Sequence, residues 1–173
     1  GLVDRERLLD LSGRSRKPQI ALAKTFGVAE YPAPAGGCLL TDPNYSRRLK
    51  DLFDHQAEVR EAELELLKFG RHFRLDDHTK IIVGRTQEEN QKIIDHHDPA
   101  CDTLLKLKSY PGPTVLIASH APRAALEKAA AVCAGYSRTP IDQDADVLVT
   151  TSTQKEVIQV RPLSPDKVSA FLI

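Results

Sequence analysis

The alternation of apolar and polar residues changes period near residue 70. Before that point apolar positions recur three and four residues apart, the spacing of an amphipathic helix. VDRERLLDLSG reads as a short helix closed by Gly13. SRKPQIALAKTFGV reads as a second, with Ser15 placed to cap it, Pro18 in its first turn and Gly27 just past its end. Asp42 or Asn44 caps a third through YSRRLKDLF, and a long acidic helix is expected through HQAEVREAELELLKFG to Gly70. Beyond Gly70 the period shortens to two. RHFRL with TKIIVGR, DTLLKLKSY with PTVLIAS, and ADVLVTT with KEVIQVR read as three strand pairs, the first two turning near Asp76-Asp77 and Pro111-Gly112. Two helices separate the pairs: TQEENQKIIDHH, with Thr86 and Glu89 in capping-box spacing, and the alanine-rich PRAALEKAAAVCAGYS. SPDKVSAFLI ends the chain as a short helix. The predicted fold class is α+β: a helical N-terminal adaptor over residues 1–55, then a mixed domain of β-hairpins interleaved with helices over residues 56–173.

Composition changes this picture little. With 41% hydrophobic and 28% charged residues among 173, the chain reads as globular. No 18-residue apolar run is present and the start lacks the pattern of a signal peptide, so no membrane partner is expected. Cys38, Cys101 and Cys133 are too widely spaced to suggest a disulfide framework, and a reducing cytoplasm is the expected location. Cys101 and Cys133 read as core. The chain has no methionine and begins with Gly in helix-like sequence, so the expectation is a piece of a longer protein with something before Gly1.

Charge changes the picture more. The net charge is zero, yet between residues 14 and 50 Arg14, Arg16, Lys17, Lys24, Arg47, Arg48 and Lys50 face only Glu30 and Asp42. Such a local excess attracts polyanions. Three basic groups are candidates for RNA phosphate: Arg14, Arg16 and Lys17; Arg47, Arg48 and Lys50 on a helix with Tyr45; and Arg71 and Arg74, with His72 and Phe73 between them. On a strand Arg71 and Phe73 share one face, His72 and Arg74 the other, and Phe73 reads more readily as core. Arg85 ends a strand just before a helix, where free backbone N–H groups and a guanidinium can meet a phosphate.

Two further stretches invite chemistry. IIDHHDP has metal-ligating residue types and resembles the DHH signature of a phosphoesterase family, but neighbours on a helix diverge by about 100° and cannot all converge on one ion. It reads as a helix C-terminus, where imidazoles suit the dipole, and no metal is expected. Cys38, in PAPAGGCLLTDPNYSRRLKDLF, is either a catalytic thiol activated by Arg47, Arg48 and a helix start, or a small residue in the tight turn that Gly36 and Gly37 make.

VGRTQEEN, YPGPTVLIAS, LEKAAAVCAGYSR and then VLVTT and KEVIQV resemble, in that order, the RNA-binding domain of the NFACT family. Gly84, Arg85 and Asn90 match its Gly-Arg turn with a nearby Asn, Pro111 and Gly112 its Pro-Gly turn, and Tyr136, Ser137 and Arg138 the end of its Ala-rich helix. The likeness spans residues 66–162 and implies RNA binding, with Arg85 and Asn90 at the site. The chain has LLKLKSY where family members carry Trp-Leu-His. SGRSRKPQIALAKTFGV and the Cys38 stretch resemble the segment following the PP-loop domain in thiouridylase-like tRNA-modification proteins of the TrmU type, also labelled tRNA methyltransferases. That resemblance implies a tRNA partner and a separate PP-loop domain using ATP; no cofactor is expected in these residues, which lack the SGGxDS-type loop. Two alternatives stay open: a sulfur-transfer module using Cys38, and an oligomerisation or docking module working through the acidic helix.

Overall fold

The computed structural model describes residues 9, 11, 15–30 and 38–173. The chain divides into two compact units, Gly1–Gly37 and Cys38–Ile173. In the first, helix α1 (Lys17–Thr25) carries Pro18 in its first turn, where a missing N–H leaves no bond unmade. Gly27 follows it at φ 69°, a backbone state that glycine adopts without strain. Arg16 holds the N-cap position, and Ser15 Oγ accepts the Lys17 N–H at 3.3 Å. The helix expected over VDRERLLDLSG lies, apart from Leu9 and Leu11, outside the described residues.

The second unit is built on strands β1 (Arg71–Asp76), β2 (Thr79–Val83), β3 (Thr103–Leu107), β4 (Val115–Ile117), β5 (Ala145–Thr150) and β6 (Lys155–Val160). They form one antiparallel sheet in the order β1-β2-β4-β3-β5-β6. The fold is α+β, and each of the three strand pairs read from the sequence is a neighbouring pair in this sheet. Alternation along the strands sends Phe73, Ile81, Val83, Leu105, Val115, Ile117, Val147 and Val149 to one face. There helix α5 (Arg123–Gly135) lies on the sheet. Its buried Ala125, Ala129, Ala130 and Ala134 allow close approach, and a methyl added to Gly135 would sit 1.8 Å from the Leu163 carbonyl oxygen. Helix α6 (Pro165–Val168) adds Val168 to the same core, and the Ile173 N–H donates to the His72 carbonyl, covering the open edge of β1.

On the other face a smaller core joins Leu66, Ile82, Ile93 and Leu116. Helices α2 (Pro43–His55), α3 (Glu61–Leu66) and α4 (Gln87–Asp95) contribute Leu52, Leu66 and Ile93 to the buried residues. Asp42 caps α2, its Oδ1 accepting from the Asn44 and Tyr45 N–H groups at 2.7 and 3.0 Å. Asp51 of α2 fastens that helix to the sheet: Arg74 Nη2 lies 2.6 Å from its carboxylate and Lys80 Nζ 3.4 Å. Burial alone would raise the Asp51 pKa, but the hydrogen bond from Arg74 and the nearby Lys80 hold it below the ordinary value.

The long helix expected through residues 55–70 is instead two helices. Gln56 is extended, and α3 restarts after Arg60, whose backbone N–H donates to Glu63 Oε2 in a capping box. The break has a tertiary cause: Arg60 Nη2 donates to Asp102 Oδ1 at 2.7 Å, across the sheet end and 42 residues along the chain. Cys101, expected in the core, is only partly buried in that polar cluster, with Arg60 Nη1 2.8 Å from its sulfur. Burial and its hydrogen bond to Asp98 push the Cys101 thiol up to about 11, while the buried Cys133 is pushed up to about 12.

Asn90, on α4, accepts the Thr114 N–H at 2.9 Å through Oδ1, while the Gly84 N–H donates to the Thr114 carbonyl at 3.0 Å. A methyl on Gly84 would sit 2.1 Å from that amide oxygen, so only glycine fits beneath it. Asn90→Ala strands the buried Thr114 N–H, and the expected cost is about 1–3 kcal/mol in urea unfolding, with the m-value unchanged. Asp51→Ala leaves two cations of the sheet facing one another and should cost about 3 kcal/mol in the same assay.

Candidate nucleic-acid interface

At one end of the sheet β1 begins, β2 ends, β4 begins and α5 ends. Gly84, Arg85 and Asn90 stand there beside the Pro111-Gly112 turn through the Thr114 bonds just described. The same turn touches the end of α5: the Arg138 N–H donates to the Pro111 carbonyl at 3.3 Å, and a methyl on Gly112 would meet Ser137 Cβ at 2.9 Å. Tyr136 completes the row, with the Arg71 guanidinium 5.0 Å from its ring centroid and Phe73 packed at 5.8 Å beneath. Segments from four places in the sequence thus meet at this end of the sheet.

The candidate cations divide by what they already bind. Arg48 donates to the Leu67 and Gly70 carbonyls at 2.9 and 3.1 Å, capping the end of α3 from inside the fold, and burial lowers its pKa. Arg74 is held by Asp51 on the covered face. Asn90 spends its amide oxygen on Thr114. These three hold the surface together from behind. Arg47 is exposed and bonded only to Asn44 Oδ1 among the described residues; Lys50 is exposed and paired with Asp54 at 2.5 Å. Arg71 is half-buried over Tyr136. Arg16 and Lys17 lie in the first unit on α1, and Arg14 lies outside the described residues.

Arg85, 46% exposed, is paired with Glu89 on the first turn of α4 through Nε and Nη2. Glu89 Oε2 also accepts the Arg85 backbone N–H at 2.8 Å, and the Thr86 hydroxyl accepts the Glu89 N–H at 3.2 Å. The capping-box spacing therefore closes one residue early on its return arm. The Arg85 side-chain bond, outweighing burial, takes the Glu89 carboxyl down to about 2. Arg85 Nη1 makes no hydrogen bond among the described residues and stays available to an incoming oxyanion.

Cys38 is exposed at the head of a 3-10 turn, Leu39–Thr41, with its carbonyl accepting from Thr41 N and Oγ1. Its sulfur makes no hydrogen bond among the described residues. In the IIDHHDP stretch His96 Nδ1 lies 2.8 Å from the Lys92 carbonyl at the end of α4, and no metal-holding group of three such side chains occurs among the described residues. No helix among them is long and apolar enough to cross a membrane.

Sequence reasoning did not single out Arg138 as a contact residue, nor the α4 face carrying Gln87 and Gln91 beside Lys106 of β3 and Tyr110. The i, i+4 spacing of the two glutamines was the available signal. No curated protein sequence matches the chain. The chain is similar to the solved C-terminal part of the fibronectin/fibrinogen-binding protein from Streptococcus suis, with a TM-score of 0.54 and 16% identity, over 78% of this chain and 64% of that one. That likeness is one of fold. The family model for the NFACT protein RNA binding domain matches residues 70–172, from the glycine before β1 to the penultimate residue. With more than half of its residues in that match, the chain belongs to the NFACT protein RNA binding domain family.

Proposed function

We propose that the 38–173 unit binds structured RNA, tRNA in particular, through the sheet end that carries Arg71, Arg85 and Arg138. The observation that carries this reading is the convergence of the Gly-Arg turn, the Pro-Gly turn and the end of α5, with two exposed guanidiniums and a third stacked on an aromatic ring. RNA recognition needs cations spaced along a surface, and this surface supplies three arginines at its sheet end. Arg47 adjoins Arg48 on α2, and beside burial the positive charge of Arg85 helps lower the Arg48 pKa, which supports α2 and α4 presenting cations near one another.

In the fuller proposal this unit grips tRNA by its backbone while a PP-loop domain of the same, longer protein uses ATP to act on the target base. The resemblance of residues 12–28 and 31–52 to the segment following such domains supports it. So does the apolar surface of the first unit, where Phe26 is 71% exposed and Ile20 and Val28 stand in solvent, as a docking face for that domain. The helical adaptor is then the part of the chain that joins the two. ATP chemistry belongs to the PP-loop domain, so ATP hydrolysis by this chain alone would refute the division of labour.

Binding to bulk tRNA across a salt series tests the RNA reading. A linear fall of log affinity with log salt is expected, and Arg47→Ala or Arg85→Ala should each reduce the slope by about 1. Slopes unchanged in both variants would refute the assignment of these cations. Glu89→Gln frees the Arg85 guanidinium and should tighten tRNA binding by up to about fivefold, the equivalent of about 1 kcal/mol. The same carboxylate carries a pH dependence. Because its folded value is depressed from 4.5 to about 2, its stabilisation is complete above pH 4.5 and is lost as the pH falls toward 2. Acid unfolding followed by circular dichroism should therefore lose part of its pH 2–4.5 limb in Glu89→Gln.

A further inference from the structure

A cleft of about 340 Å³ lies beside the proposed interface, where the helical layer stops. Helix α4 covers β2 and β4 through Ile93, but no helix among the described residues covers the same face of β3 beyond it, where Lys106 is exposed. Ile94 of α4, Lys106 and Leu107 of β3, and Tyr110 and Pro113 on either side of the Pro-Gly turn line it. Gln87, Asn90 and Gln91 line this space from α4.

Resting on the RNA reading above, we propose that this cleft takes one unpaired nucleobase, adenine above the others, extruded from an RNA loop. The chemistry of the walls selects that ligand. The cleft is within the size of small-molecule sites, and its lining is mixed: flat apolar and aromatic surfaces with a few amides. Gln87 has both its amide donor and acceptor free among the described residues, while Gln91 donates to Asp95 at 2.8 Å and keeps its oxygen free. A glutamine amide meets the donor-acceptor edge of adenine with both its groups at once. Tyr110, whose hydroxyl is tied to Gln143 Oε1 at 3.3 Å, offers a ring held in place for stacking, and unstacked loop bases in RNA are read by such combinations. Lys106 makes no ion pair among the described residues and stands at the rim, where the phosphate of the bound nucleotide would lie. Asn90 links the two sites: its amide oxygen accepts the Thr114 N–H, and the residue also lines the cleft.

The test uses the full chain and two RNA hairpins, one with an adenosine loop and one with the same loop made abasic. Wild type should prefer the adenosine loop by about tenfold. Gln87→Ala/Gln91→Ala, two exposed changes on α4 checked for folding by circular dichroism, should erase that preference and leave the salt slope intact. Arg85→Ala should lower the slope and retain the preference. Equal preference in wild type and the double glutamine variant, with RNA still bound, overturns the base site alone. Failure of wild type to bind either hairpin at low salt overturns the RNA reading and the base site with it.

Discussion

The bond from the Thr114 N–H to the Asn90 amide oxygen ties α4 to the start of β4 at the sheet end proposed to meet RNA. Thr114 sits just before β4, an interior strand, where a backbone N–H without a partner would be costly. Asn90 supplies the partner from a helix, and Gly84 leaves the space for it to do so. That arrangement sets α4 on the sheet, brings the Gly-Arg turn against the Pro-Gly turn, and places Arg85 at the surface with Glu89 beneath it. It also decides where the helical layer ends, and so creates the step that becomes the cleft.

Around this point arginine does two different jobs. Arg48, Arg60 and Arg74 bond to carbonyls and carboxylates of the fold. Arg47, Arg85 and Arg138 stand at the surface. A guanidinium with five donors suits either role. An internal one bridges elements far apart in sequence, as Arg60 does to Asp102; an external one keeps a donor unused among the described residues, as Arg85 keeps Nη1.

Much of the fold was legible because its signals are local. Period-two alternation in RHFRL, TKIIVGR, ADVLVTT and KEVIQVR reports a sheet packed on α5, and Asp42 and Thr86 mark helix starts through bonds to residues two or three positions on. What the sequence hid depends on distant partners. The break after α2 is imposed by Asp102, and the polar surroundings of Cys101 come from Arg60. Arg48 and Arg74 look like free cations until Leu67, Gly70 and Asp51 are seen beside them. At the candidate site, the turns and Asn90 were legible as a pattern, but their convergence is a property of strand order, since β4 rather than β3 lies next to β2.

Backbone amide NMR of the chain, with and without tRNA, tests most directly whether RNA meets the sheet end where β2, β4 and α5 come together. Shifts concentrated at Gly84–Gln91, Gly112, Thr114, Ser137 and Arg138, with the turn between β5 and β6 at residues 151–154 left silent, are what the account predicts. Shifts concentrated at that distant turn, or none at all at low salt, would contradict it.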